Sequence, residues 1–238
     1  MIQCVRANYR SVTIRTVDTD VLLLSIANRH HAGNFNCSVN IMFVTSKATT
    51  MYDTNHIAMH LGEDVCKGIP FFHSFSGCDS VSSFFNHGKC KIWDRWHEFE
   101  DQEELTKTFG ELSSTPTSVT NEQIQLIEKF VLFFYYGKTC EPLDINYHRI
   151  NDFEHSSQNN LRLLPSSRAS RIEQIKRASY EGGWIASLCK GNIDLPSPAL
   201  FGRVIIDGKY LPKWQDGENV SVDGLLQLCS CTSAKCLS

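Results

Sequence analysis

The stretch S-V-T-I-R-T-V-D-T-D-V-L-L-L-S-I-A, residues 11–27, decides how the first part of the chain folds. Residues 11–17 alternate polar and apolar side chains and are rich in β-branched types, which predicts a strand. Asp18 falls at the carboxyl end of that strand, the end at which an open parallel α/β sheet binds its ligands. Asp20 then caps or opens the next element. The run V-L-L-L-S-I-A-N (21–28) reads as a short buried helix, although periodicity alone also admits a strand.

Outward from this stretch the pattern continues. Residues 38–45, S-V-N-I-M-F-V-T, alternate again as a second strand, and Met51–Asp53 read as a short third. Residues 54–61 predict a brief helix ended by Gly62. Pro70 is placed at the first turn of a helix F-F-H-S-F-S, with Phe71, Phe72 and Phe75 on one face, Gly77 closing it and Asp79 following directly. Residues 80–86 and 89–96 flank Gly88 as helix, tight turn, helix. From 98 to 120 the chain is charged, then rich in Ser and Thr with Pro116, and reads as a loop or linker. Thr120 to Gln123 has the form of a capping box and opens a helix with Ile124, Ile127, Phe130, Val131 and Phe134 on one stripe, ended by Gly137. Ser170 to Glu173 repeats that form before R-I-E-Q-I-K-R-A-S-Y, and frequent Pro and Gly make 182–217 mostly irregular.

Composition bounds the partners. With 42% hydrophobic and 21% charged residues, the 238-residue chain can bury a sizeable core. A formal net charge of -3 demands no polyanion in bulk and leaves room for a local basic patch. No apolar run approaches the roughly 18 to 20 residues of a membrane span, so no membrane partner is expected. The start, M-I-Q-C-V-R, lacks the plan of a signal peptide. An intracellular protein, nuclear or cytoplasmic, with mostly reduced thiols at its ten cysteines is therefore expected.

Asp18, Asp20 and Asp79 are the candidate chemistry. Two-metal nucleases converge several carboxylates on ions about 3.5 to 4 Å apart, which activate water and stabilise the charge on phosphate. Hard oxygens suit Mg²⁺ and Mn²⁺. The bland alternative is that Asp18 merely caps the next helix. Gly88, Lys89 and Lys91 offer amides at a helix start and positive charge for a phosphate backbone, or else an ordinary turn with a solvated lysine. In the tail, Cys229, Cys231 and Cys236 could supply three thiolates to zinc, one short of a structural site, or else lie in a frayed tail. His56 and His60, four apart, read as an exposed pair without a third ligand, and His73 as a packed or hydrogen-bonded residue. Arg168, Arg171, Lys176 and Arg177 read as a solvated helix face, with phosphate contact as the runner-up.

T-V-D-T-D-V-L-L-L (16–24) resembles the T-x-D-x-D strand of the flap endonuclease group of PIN-like nucleases, and F-F-H-S-F-S-G-C-D-S (71–80) resembles that group's helix ending in Gly-x-Asp. The spacing, 58 residues between Asp20 and Asp79, is compatible. The stretch G-I-P-F-F-H-S-F-S-G-C-D-S-V-S-S-F-F-N-H-G-K-C-K-I-W (68–93) is similar, nearly position by position, to a family of uncharacterised metazoan proteins with the pattern L-P-x-F-H-A-x-T-G-C-D-T-x-S-x-F-x-G-K-G-K-x-x-A-W. L-P-S-S-R (164–168), Trp184, P-S-P (196–198) and Leu211–Trp214 follow in that family's order. The resemblance implies a metal-dependent endonuclease fold. It casts Asp18, Asp20 and Asp79 as metal-binding and catalytic, and Gly88 and Lys89, joined by Lys91, as the nucleic-acid grip.

Two departures weaken the implied activity. The group carries further acids upstream of the T-x-D-x-D strand, whereas residues 1–10 contain none, and G-K-G-K has become N-H-G-K. The expectation is an α/β fold: an incomplete PIN-like three-layer sheet over 1–97, a loop or linker over 98–120, a helical and irregular region over 121–217, and a cut-off Cys-rich tail over 218–238. Its function would be that of a structure-specific nuclease, shortened at its start and weak or inactive. A non-catalytic nucleic-acid-binding or scaffold protein is the alternative.

Overall fold

The computed structural model describes residues 7, 9–30, 36–44, 48–114, 118–137, 140–155, 163–187 and 195–213. The tail with Cys229, Cys231 and Cys236 lies outside the described residues, and so does the zinc reading placed on it.

The chain is mixed α/β. It begins with β1 (Ser11–Thr16), α1 (Thr19–Ala27) and β2 (Ser38–Val44), a β-α-β unit in which β1 and β2 pair in parallel with Ser11 opposite Ser38. β3 (Thr49–Asp53) adds antiparallel to β2, giving the order β1-β2-β3. The alternation in the sequence is visible in burial: Val39 and Ile41 of β2 are buried, and Ser38, Asn40 and Met42 beside them are half-buried. The run 21–28 is helical, so the strand alternative is excluded. Ile26 and Ala27, with Leu22 and Leu23 one turn earlier, form the stripe that packs against α2 (Thr54–Leu61) and the next helix.

A polar knot ties this unit together. Arg29 is buried. Its Nε donates to Asn55 Oδ1 and its Nη2 to the Cys37 carbonyl at 2.8 Å, while Asn55 Nδ2 donates to the same carbonyl at 2.8 Å. Thr54 Oγ1 donates to the Val39 carbonyl at 2.8 Å. Three chain segments are thereby tied through buried donors and acceptors that bond one another, as most buried polar groups do.

α3 (Glu63–Phe75) is the central helix. Pro70 lies inside it, seven residues past its start, which corrects the placement of Pro70 at a first turn. An interior proline removes a donor and crowds the carbonyl four residues back. Here the Phe71 N–H donates to Ser113 Oγ at 2.9 Å, so the disturbed turn is completed from another helix. Phe71, Phe72 and Phe75 bury into the main core with Trp96, Phe109, Phe130 and Phe134. Trp96 stacks on Phe72 at 5.4 Å between ring centroids and lies 4.9 Å from Phe109, and its indole N–H donates to Thr106 Oγ1 at 3.1 Å.

The stretch 98–120 is not a linker. It contains the end of α4 (Lys89–Glu98) and the whole of α5 (Gln102–Leu112), whose Leu105, Phe109 and Leu112 are buried in the main core. Residues 80–86 are not helical either: two tight turns, bridged Cys78–Val81 and Phe84–His87, take their place. The expected capping box is present at α6 (Asn121–Tyr136), with Thr120 and Gln123 bonding reciprocally and Gly137 left-handed at its end. Thr120→Ala is therefore expected to cost about 1 kcal/mol. A urea titration should show a lower midpoint at unchanged slope.

α7 (Ile145–His155) and α8 (Arg168–Ser187) complete the helical part, followed by a 3-10 turn at Pro198–Leu200 and the hairpin β4 (Arg203–Ile206) and β5 (Lys209–Pro212). α8 starts before the Ser170 capping box and runs on to Ser187, so 182–187 is helix rather than irregular chain. The basic residues 168–177 are not a solvated face: Arg171 and Arg177 are buried, Arg168 pairs with Glu128 at 2.9 Å, and Lys176 pairs with Glu173 at 2.7 Å. Among the described residues no helix is long and apolar enough to cross a membrane, and Cys37, Cys66, Cys78 and Cys90 are free thiols.

Candidate functional site

The carboxyl end of β1 delivers the first two aspartates. Asp18 has the extended backbone of an N-cap, and its Oδ1 accepts the Asp20 N–H at 2.9 Å. Its own N–H donates to Thr16 Oγ1 at 3.0 Å. The capping role weighed for Asp18 from the sequence is thus real, and it leaves the second carboxylate oxygen exposed. Asp20 lies in the first turn of α1, where a negative charge suits the helix dipole.

Asp79 comes from the other side. α3 ends at Phe75, and Gly77 follows with φ of 117°. A Cβ on Gly77 would lie 2.5 Å from Ser83 Cβ and 2.7 Å from Ser83 Cα, so glycine is needed both for its conformation and for the close return of the chain. The Cys78–Val81 turn then holds Asp79 at an exposed tip. Gln174 of α8 fixes this loop from outside, donating through Nε2 to the Phe75 carbonyl at 3.2 Å and the Ser82 carbonyl at 2.8 Å.

The two sides meet at His73. Its ring is buried, its Nδ1 stands 3.6 Å from Asp20 Oδ1, and among the described residues that nitrogen has no hydrogen-bond partner. Burial pushes the imidazole below the usual histidine range; Asp20 pulls it upward, Lys89 opposes, and Asp18 and Asp79 add smaller upward pulls. All three aspartates therefore act on one buried ring. His73 was read as a packed residue from the sequence, and it is one, but it is also the point on which the candidate carboxylates converge. The signal available was its place in the helix that runs into Gly77 and Asp79.

Lys89 is the second surprise. It was expected to reach outward. Its Nζ instead donates to the Gly77 carbonyl at 2.6 Å and stands 3.5 Å from Asp20 Oδ1, with the side chain 28% exposed. An ammonium has three donors, so one N–H remains for solvent or a ligand oxygen. Asn86 takes φ of 60°, a left-handed conformation that asparagine tolerates, at the position where the resembling family has glycine. His87 packs 4.4 Å from the Tyr135 ring. Gly88 is the exposed N-cap of α4 and makes no side-chain cap bond, so the first amides of α4 lack that partner. Lys91 is exposed on the same turn.

The donor set suits Mg²⁺ or Mn²⁺ in kind, being hard carboxylate oxygens. In arrangement it does not close: among the described residues no three His, Cys, Asp or Glu groups are placed to hold a metal ion, and Lys89 lies against Asp20. No catalytic step through a metal follows from this arrangement. His56 and His60 join no such group either.

Burial also depresses His87, whose Nδ1 is buried without a partner and which Lys91 pushes the same way. A histidine whose folded pKa lies below its unfolded one favours the neutral form in the fold. Its contribution is fully present above the unfolded value, about 6.5, and is lost as pH falls through the folded value. Urea unfolding between pH 7.5 and 5 is expected to show falling stability. The fall should be smaller in His87→Phe, which keeps the ring contact with Tyr135 and loses the titrating group. Equal acid sensitivity in the two proteins would contradict this.

Compared with protein-family models, with curated proteins and with solved structures, the chain matches none.

Proposed function

We propose that this chain is a nuclease-like domain of the PIN-like, flap endonuclease type that engages a nucleic-acid backbone beside Asp18, Asp20, Asp79 and Lys89, with phosphodiester cleavage weak or absent. The observation that carries the reading is Asp20 at 3.6 Å from the buried His73 ring and 3.5 Å from Lys89, which joins the β1–α1 junction to the helix that runs into Gly77 and Asp79. Those are the segments in which the resemblance lies. A strand laid across the N-H-G-K turn would meet the first amides of α4, the remaining Lys89 N–H and the Lys91 ammonium, which bind phosphate without reading sequence.

The non-catalytic form of the reading is favoured by Lys89, which already neutralises Asp20. The catalytic form needs Mg²⁺ or Mn²⁺ on the same carboxylates. The deciding experiment incubates the chain with flap and single-stranded DNA in Mg²⁺ or Mn²⁺, beside an Asp18→Ala/Asp20→Ala variant. Binding of both substrates with cleavage near background is expected. Robust cleavage abolished by the double substitution would establish the catalytic form instead. Cleavage that survives it would remove the aspartates from the chemistry, and failure to bind either DNA would overturn the proposal.

A further inference from the structure

A second site lies apart from the aspartates. A cavity of about 320 Å³ opens between the 82–85 loop, α6 and the start of α8. That is near the lower end of volumes that hold a small ligand, roughly 300 to 1,000 Å³. Its decisive lining residues are Arg149, Arg171, Ser166, Ser170, Tyr135 and Phe85, and among the described residues no carboxylate lines it.

Arg171 is 3% exposed and makes no ion pair among the described residues. Its Nη1 donates to Gln174 Oε1 at 2.6 Å and its guanidinium lies 4.3 Å over the Phe84 ring, while its Nε has no partner. Arg149 donates through Nη1 to the Pro165 carbonyl at 2.6 Å, and it too makes no ion pair among the described residues. The Ser166 hydroxyl is buried without a partner. Glu128, which acts on Arg171, is paired with Arg168 at 2.9 Å, and Glu173 is paired with Lys176 at 2.7 Å.

A buried guanidinium without a counter-ion is costly. Burial pulls Arg171 down to about 10, against upward pulls from Tyr135 and Glu128, so it stays charged at neutral pH. The start of the 20-residue α8, where Ser170 lies, adds its positive end to the same cavity. Arg149, Arg171 and Arg177 line one small space together with a helix start, and the Arg171 Nε–H and the Ser166 hydroxyl have no partners among the described residues; no carboxylate stands among the described lining residues.

We propose that this cavity binds a phosphate monoester, either the terminal phosphate of a nucleic-acid strand or that of a free nucleotide. Arg149 and the Arg171 Nε–H supply charged donors, and Ser166 supplies a hydroxyl. Phe85, 50% exposed at the rim, offers an apolar face for the base. None of Asp18, Asp20, Asp79 or Lys89 lines the cavity, so the inference holds whether or not the chain cleaves anything.

Isothermal titration calorimetry tests it with three probes: inorganic phosphate, adenosine monophosphate, and a short oligothymidylate carrying a 5′-phosphate or a 5′-hydroxyl. Binding of adenosine monophosphate is expected, tighter than that of inorganic phosphate. Arg149→Gln should weaken it about tenfold or more, and Ser166→Ala about three- to tenfold, the ranges for a charged and a neutral hydrogen bond. Circular dichroism should show both variants folded, which matters because Arg171→Gln sits too deep to be a safe variant. A phosphate-dependent gain with the oligonucleotide assigns the site to strand ends; adenosine monophosphate binding without that gain assigns it to free nucleotides. Both support the cavity. No binding of any probe, or binding unchanged in Arg149→Gln and Ser166→Ala, would overturn it.

Discussion

Gly77→Ala is expected to destabilise the fold by roughly 2 to 6 kcal/mol and to abolish nucleic-acid binding with it. Two costs coincide at this position. A φ of 117° is one that residues with a Cβ rarely adopt, which costs about 1 to 3 kcal/mol. The added Cβ would also press on the Ser83 backbone at 2.7 Å from Cα, an overpacking cost of about 1 to 3 kcal/mol more. The loop cannot yield freely, because Gln174 pins it at the Phe75 and Ser82 carbonyls. Shifting Gly77 also moves the carbonyl that holds Lys89 and the turn that presents Asp79. Gly62→Ala is the control: φ is 82° there, but a Cβ would meet nothing within 4 Å, so only the conformational cost applies. Urea titrations of the two variants separate the costs. Equal losses would show that the close return at Ser83 contributes nothing.

Gly182→Leu is expected to cost about 3 kcal/mol, the upper end for overpacking. In α8 this glycine lets the helix lie directly on the disturbed turn of α3. A Cβ would fall 3.0 Å from the Phe71 nitrogen, 3.1 Å from its Cα and 3.3 Å from the Pro70 carbonyl carbon. Backbone cannot rotate away as a side chain can, so the helices must separate. That separation would reach the loop clamp at Gln174, two turns back on the same helix. Leucine at the exposed neighbour Trp184 is the control and should change stability little.

These two glycines show where the sequence was readable. β1, α1, β2 and α6 were legible because their signals are local: alternation over seven residues, a short apolar run, and a reciprocal Thr120–Gln123 cap. Gly182 misled because its neighbour Gly183 and the following Pro and Gly look like a breaking helix, while the reason for glycine is an approach by residues more than a hundred positions away. α5 carried its signal openly, with Leu105, Phe109 and Leu112 at helical spacing, but the flanking charges and Pro116 drew the stretch toward a linker. Residues 80–86 carry Val81, Phe84 and Phe85 at a spacing that suits a helix; the turns win because Gln174 holds the Ser82 carbonyl and the chain returns against Gly77 at Ser83. At the site, Asp18, Asp20 and Asp79 could be picked out by motif. The inward set of Lys89 and the buried ring of His73 could not, since both depend on how α3 packs against α1.

The most direct measurement is single-stranded DNA affinity across a salt series, about 50 to 200 mM, for the wild type, Lys89→Gln, Lys91→Gln and, as a distant control, Lys107→Gln on α5. Each lost phosphate contact should flatten the log–log slope by about 0.7. Weaker binding and flatter slopes are expected for Lys89→Gln and Lys91→Gln, with Lys107→Gln matching the wild type. Lys91 is exposed, so its variant carries no folding penalty. Slopes and affinities unchanged in both turn variants would contradict a nucleic-acid backbone beside Asp18, Asp20, Asp79 and Lys89.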